Sequence, residues 1–137
     1  SYGMFPRSLL ASDEGGDGDP LDAIVLGPAV DRGAVVRVKV IGVLRLLDDG
    51  EQDDKLICVR KGEPMGDADD LEELDRKYPG ASAIVRTWFA GYKEPGKIEI
   101  VGLESADVAR SLVDAASAAF EARREASAST APGDGER

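Results

Sequence analysis

The chain has 137 residues, 42% of them apolar and 32% charged, and its 27 Asp and Glu against 17 Lys and Arg leave a formal net charge of −10. That length suits one domain with a hydrophobic core, and the acidity argues against nucleic acid or an anionic membrane surface as partner, since both require clustered Lys and Arg. With one Cys and no His, an internal disulfide, Cys/His zinc sites and imidazole-dependent nucleophile systems are excluded.

In chain order, the first acidic stretch is residues 13–22, with Asp13, Glu14, Asp17, Asp19 and Asp22 and no base. Ala23–Leu26 follows as a short apolar strand, and Gly33 after Asp31-Arg32 marks a turn. Ala34–Leu47 reads as a long strand in which Val36, Val38 and Val40 alternate with Arg37, Lys39 and Ile41. Gly42 is placed for a bulge that lets this strand curl. The second acidic stretch, residues 48–54, is expected to be a hairpin connection into a strand at Leu56–Val59. Cys58 within it reads as a small buried hydrophobe rather than a reactive thiol.

The third acidic stretch, residues 67–75, reads as the solvated face of a helix. Leu71, Leu74 and Tyr78 recur at helical spacing, with acids early and Arg76 and Lys77 late, which suits the helix dipole. A second helix is predicted from the stripe Ile84, Val85, Trp88, Phe89 and Tyr92, and a fourth strand at Lys97–Val101. A further helix carries Val108, Leu112, Ala116 and Phe120, with Ser105 as its N-cap. Residues 1–124 are expected to form one domain and residues 125–137 a disordered tail. The fold class is α+β, a curled, mostly antiparallel sheet with two to three helices packed on it. No apolar run is long enough to cross a bilayer and no signal-peptide pattern opens the chain, so a cytoplasmic location is expected.

The segment Asp17-Gly18-Asp19-Pro20-Leu21-Asp22 carries the most chemical information. Gly18 frees the backbone to turn, and Pro20 fixes its own φ and biases Asp19 to an extended conformation. Carboxylates held about 4 Å apart repel by about 4 kcal/mol at an effective dielectric near 20, so this cluster calls for a cation or for protons. Without His or a thiolate set, the ligands are oxygen, which suits Mg²⁺, Mn²⁺ or Ca²⁺. An EF-hand starting at Asp13 fails, because its twelfth position is Ile24 where a bidentate Glu is needed. If the sheet curls, the second loop brings Asp48 and Asp53 towards the first, and several carboxylates could hold more than one cation for attack of water on phosphorus.

At these residues the chain resembles the soluble family I inorganic pyrophosphatases. Asp17-Gly18-Asp19-Pro20-Leu21-Asp22-Ala23 fits the family signature D-x-D-P-x-D followed by a small or apolar residue. Val40-Ile41-Gly42-Val43-Leu44 and then Asp48, Asp53 and Lys55 follow at family spacing. Tyr2-Gly3 is similar to the Tyr-Gly pair upstream of the signature, and Tyr92-Lys93 to the pair closing the family's long helix.

The resemblance implies an OB-like, curled antiparallel β-barrel with helices packed on it, and Mg²⁺-dependent hydrolysis of pyrophosphate to two phosphates. Mn²⁺ or another divalent cation would also serve. Asp17, Asp22, Asp48 and Asp53 would bind metal, Asp19 would be the general base, and Tyr2, Lys55, Tyr92 and Lys93 would contact phosphate oxygens. Pyrophosphate and phosphate would be the ligands, in a homo-oligomer. Three departures stand out: Asp49 where Glu is usual, a long segment at residues 4–16, and no counterpart of the family's segment before the Tyr-Gly pair. The last implies weaker transition-state stabilisation, and with it the alternative of a catalytically weak domain that binds divalent cations or phosphate.

Overall fold

The computed structural model describes residues 1–10 and 18–130. The apolar run Val40–Leu44 forms the middle of the central strand, β3 (Lys39–Asp48), onto which the rest of the sheet is built. Around it lie β1 (Tyr2–Met4), β2 (Asp22–Val25), β4 (Glu51–Gln52), β5 (Lys55–Val59) and β6 (Ile98–Glu104) in one six-stranded sheet. The path runs β1-β2-β5-β3-β4, with β6 also paired to β3.

Three features of β3 follow from its sequence. Its pairing with β5 shifts register between Val40 and Gly42, the bulge that the glycine predicts. A Cβ on Gly42 would lie 2.6 Å from the Leu71 side chain, so the missing side chain also admits the first residue of α1. Asp49 and Gly50, both with positive φ (53° and 83°), make the tight turn from β3 into β4. Those signs are what a two-residue hairpin loop requires, and an Asp-Gly pair supplies them at low cost.

The strand predicted at Ala34–Leu47 begins later, at Lys39. Lys39 is opposite Val59, where β5 ends, so residues 34–38 have alternation without a ladder partner there, and Val35 is 92% exposed. The sheet is mostly antiparallel, as expected, with one exception. β2 and β5 pair in parallel, with Asp22 opposite Lys55, because β3 intervenes in sequence and returns the chain to the end at which β2 began. The remaining pairs are antiparallel. Among the described residues the curled sheet stays open: β1 and β6 are not paired, so the barrel implied by the resemblance is not closed here.

Helices cover both faces. On one, α1 (Leu71–Lys77) and α2 (Ala81–Gly91) place Leu74, Val85 and Phe89 against Ile24, Ile41, Leu44, Leu46 and Ile57. On the other, α3 (Ala106–Ser129) sets Ala109 and Ala116 against Leu21, Ala23, Val25, Val43, Leu56 and Cys58. The two lists alternate along β2 and β5, as the two-residue period of a pleated sheet dictates, while in β3 the bulge at Gly42 puts Ile41 and Val43 on opposite faces. Of the third acidic stretch, Glu72, Glu73 and Asp75 lie on α1, whereas Asp67 and Asp69 precede it and Asp70 is its N-cap, accepting from the Glu73 amide at 2.7 Å. Lys77 bonds to Asp67 and Glu73, and Asp75 accepts from Ser82. Ser105 caps α3 by accepting from the Val108 amide. That helix runs to Ser129, beyond Glu125 where a disordered tail is expected, because Ala126 and Ala128 are strong helix formers and continue it. Residues 131–137 lie outside the described residues. Cys58 is fully buried, and burial pushes its thiol up to about 12, so it acts as a hydrophobe.

Candidate active site

The parallel pairing of β2 with β5 creates the site. Asp22 begins β2 and Lys55 begins β5, and their register places them side by side on the face that α1 and α2 cover. The Lys55 ammonium donates to Asp22 Oδ2 at 2.5 Å and to Asp53 Oδ1 at 2.7 Å. Asp53 and Lys55 are two residues apart, so alternation along an extended backbone points both to this face. Tyr2, on the edge strand β1, donates its hydroxyl to the same Asp22 Oδ2 at 2.6 Å, and its ring lies 5.5 Å from the Lys55 nitrogen.

Burial is uneven within this group. The Lys55 side chain is 3% exposed, whereas Asp22 and Asp53 keep 30% and 24% of their surface in solvent. Burial alone would lower the Lys55 pKa, but the hydrogen bonds with Asp22, Asp53 and Tyr2 more than reverse it, and the ammonium is held above its ordinary range. The Tyr2 hydroxyl is pushed up to about 12, by burial first and then by its bond to the Asp22 carboxylate. Both shifts keep a proton on the group that faces the carboxylates.

The second acidic loop divides. Asp48, the last residue of β3, pairs with Lys93 just beyond α2, and that bond raises the Lys93 ammonium above its usual value. Tyr92 caps the same helix end. Its ring stacks on Trp88 at 5.5 Å and meets Phe89 edge-on at 5.3 Å, and Phe89 lies 6.3 Å from Tyr2. An aromatic bridge thus runs from the Asp22–Lys55 group to the Asp48–Lys93 pair. It lines a cavity of about 540 Å³ with Ile24 and Val85.

The structure therefore brings Tyr2, Asp22, Asp53 and Lys55 into direct contact and joins Tyr92, Lys93 and Asp48 through the aromatic bridge. Asp19 is an exposed residue of the bend before β2, and its carbonyl accepts from the Leu10 amide at 2.9 Å. Asp17, together with Asp13 and Glu14, lies outside the described residues. Among the described residues no three acidic or thiol side chains form a ready metal cage. The donor chemistry still fits a hard cation: two carboxylates converge on one positive charge, and every donor is oxygen.

Two contributors were missed in the sequence. Ser8, buried within the segment before the signature, donates to the Phe5 carbonyl and accepts from the Leu21 amide at 3.0 Å, pinning the entry to β2. Nothing in its surroundings marks it in advance. Asp54 belongs by sequence to the acidic stretch 48–54, yet it turns to the opposite face and meets Arg45 at 2.9 Å and Gln52 at 2.6 Å. Its parity relative to Lys55 was the available signal.

Comparison with known proteins identifies the family. The family profile described as inorganic pyrophosphatase matches residues 1–121. Inorganic pyrophosphatase 1 of Caenorhabditis elegans is 38% identical over 104 residues, which is 69% of this chain and 24% of that protein. The mitochondrial inorganic pyrophosphatase of Saccharomyces cerevisiae is 43% identical over 82 residues, 58% of this chain and 26% of that protein. The chain thus spans about a quarter of the length of these two relatives. Among solved structures, the type I inorganic pyrophosphatase of Toxoplasma gondii superposes with a TM-score of 0.80 at 30% identity, over 88% of this chain and 59% of that one. An N-terminally truncated vacuolar soluble pyrophosphatase of Trypanosoma cruzi, solved in complex with PPi, gives 0.83 at 29% identity, over 90% of this chain and 52% of that one. With the profile matching residues 1–121 and solved members superposing over most of the chain, the chain belongs to the inorganic pyrophosphatase family.

Proposed function

We propose that this domain hydrolyses pyrophosphate to two phosphates with the help of Mg²⁺, using the carboxylate–lysine–tyrosine group at the β2–β5 junction. The observation that carries the reading is the convergence of Asp22, Asp53 and Tyr2 on the buried Lys55 ammonium. Asp22 and Asp53, with Asp17 and Asp48, would hold divalent cations. When bound, such cations neutralise the diphosphate and make the attacking water more acidic. Asp19 would take the proton from that water as its oxygen attacks one phosphorus and the bridging P–O bond breaks. Lys55 and Tyr2, each holding its proton well into the alkaline range, would donate to phosphate oxygens as negative charge builds on the leaving group. Lys93 and Tyr92 would receive the other end of the diphosphate.

Net negative charge does not oppose this substrate, because bound cations invert the local field. A cytoplasmic location and a homo-oligomeric state belong to the same proposal. They are tested by fractionation and by light scattering; one of the relatives named above is a mitochondrial protein. Among the described residues no helix is long and apolar enough to cross a membrane.

The test is phosphate release from pyrophosphate with and without Mg²⁺, for the wild type and Asp19→Asn. Mg²⁺-dependent turnover should fall about 10²–10⁴-fold in the variant, the usual contribution of a general base. No phosphate above background in the wild type would overturn the enzymatic reading. A melting temperature raised by Mg²⁺ without turnover would leave the second reading, a cation- and phosphate-binding domain.

A further inference from the structure

The loop that feeds the site carries a second polar cluster on the opposite face of the sheet. Arg45 projects from β3 to that face and donates through Nη1 to Asp54 Oδ2 at 2.9 Å and through Nε to Glu104 Oε2 at 2.6 Å. Gln52 donates to the same Asp54 Oδ2 at 2.6 Å. One guanidinium therefore ties the start of β5 to the end of β6 across the central strand. The Asp54 side chain is 2% exposed, so its charge is stable there only while Arg45 and Gln52 hold it.

Asp54 lies between Asp53 and Lys55. In an extended chain these neighbours point to opposite faces, and a slip of one residue would exchange them. A buried, forked ion pair on one face thus fixes what the other face presents. The backbone adds a second restraint, with the Asp53 amide donating to the Leu46 carbonyl at 3.0 Å, one residue beyond Arg45.

We propose that Arg45 and Asp54 are positioning residues: their ion pair on the far face of the sheet, braced by Gln52 and Glu104, holds Asp53 and Lys55 in register for cation and phosphate binding. Neither touches the reacting groups; they act through the backbone of the residues between them. This rests on the reading of Asp53 and Lys55 as site residues, so the test includes a measurement that does not depend on it.

The variants are Arg45→Met, which keeps the apolar stem and removes the fork, Arg45→Lys, which keeps charge with one-point contact, and Asp54→Asn, which keeps the shape. Amide hydrogen exchange and Mn²⁺ binding are measured where each variant is fully folded, and pyrophosphate turnover is measured across Mn²⁺ concentration. In Arg45→Met, or in Asp54→Asn if the former does not fold, the amides of Asp53 and Lys55 should exchange at least tenfold faster, with those of Ala23 and Ile24 unchanged. Mn²⁺ binding should weaken about tenfold, saturating Mn²⁺ should recover most of the turnover, and Arg45→Lys should fall between.

Uniform loss of protection across the sheet with unchanged Mn²⁺ affinity would reduce the pair to an ordinary structural contact and overturn the proposal. Unchanged exchange at Asp53 and Lys55 in a folded variant would overturn it as well. If the wild type neither binds Mn²⁺ nor turns over pyrophosphate, the functional reading falls with any role in cation binding, and localised exchange then supports only the positioning of Asp53 and Lys55.

Discussion

The two faces of the sheet solve the same electrostatic problem in opposite ways. On the site face a buried ammonium, Lys55, is surrounded by the half-buried carboxylates of Asp22 and Asp53. On the far face a buried carboxylate, Asp54, is held by the half-buried guanidinium of Arg45. Each cluster pairs one cation with two acids, Glu104 being the second on the far face. What differs is the sign of the buried charge, an ammonium on the site face and a carboxylate on the far face. Solvent-facing carboxylates can bind an incoming cation and exchange it; a carboxylate sealed under its own arginine cannot. On the function proposed above, the site face takes a replaceable positive charge, whereas the far face keeps its own.

Breaking the permanent cluster should cost the most. Arg45→Met strands Asp54 in the interior, and removal of one partner of a buried pair typically costs about 3–5 kcal/mol. Denaturant unfolding at neutral pH measures it, and millimolar Mg²⁺ should leave the loss in place, because a buried carboxylate offers a cation no access. Recovery by Mg²⁺ would mean that the far face exchanges its charge as well.

Lys55→Met tests the replaceable cluster. Asp22 and Asp53 lose their shared cation, but both are partly solvated, so a loss of about 2 kcal/mol is expected, between the values for exposed and buried pairs. Here Mg²⁺ should restore stability, since a ligand at a hundred times its Kd returns about 2.7 kcal/mol. The same denaturant unfolding with and without about 5 mM Mg²⁺, roughly a hundred times the Kd of a site of about 50 μM, decides it: equal responses in the two variants would erase the contrast between the faces.

Alkaline pH separates the faces by titration. The Cys58 thiol, on the far face, is raised to about 12 by burial, whereas an unfolded thiol ionises near 8.5. A raised pKa contributes stability that is complete below the unfolded value and is lost as pH climbs towards the folded one. Stability should therefore fall by about 1.4 kcal/mol per pH unit above about pH 8.5. Tyr2, on the site face and also raised to about 12, joins only above about pH 10. Urea midpoints at pH 8, 9 and 10 should decline in the wild type and stay flatter in Cys58→Ala, with Tyr2→Phe indistinguishable from wild type over that range.

Much of this contrast could be read from local sequence, and the rest could not for an identifiable reason. The Gly42 bulge, the hairpin at residues 48–54 and the Ser105 cap depend on residues within a few positions of one another, and each stands where it was expected. The acids of the signature were recognisable because their spacing is local too. The Asp22–Lys55 contact joins residues 33 apart through a parallel pairing, which no periodicity announces. Asp54 was hidden differently. Read as one member of an acidic stretch, it belongs with Asp53; read by parity from Lys55, it belongs to the other face. The apolar stripe of α2 splits in the same way: Val85 and Phe89 are buried, while Ile84 and Trp88 stay exposed beside the cavity. A stripe identifies the helix without saying how much of it the rest of the protein covers.

The smallest effects should come from the helix caps, and they carry the contrast of the faces into salt dependence. Asp70 caps α1 on the site face with a charged acceptor 2.7 Å from the Glu73 amide, while Ser105 caps α3 on the far face with a neutral one at 3.3 Å from the Val108 amide. Removing either cap should cost about 1 kcal/mol, with Asp70→Ala at the larger end because charge-assisted bonds are shorter and stronger. The carboxylate also faces the positive end of the helix dipole, and that contribution is screened by salt. Raising NaCl from about 0.01 M to 1 M shortens the screening length from about 30 Å to about 3 Å. The Asp70→Ala penalty should therefore shrink across that range and the Ser105→Ala penalty should hold. Equal salt dependence in the two would show that the hydrogen bond alone, and not the charge behind it, holds the start of α1.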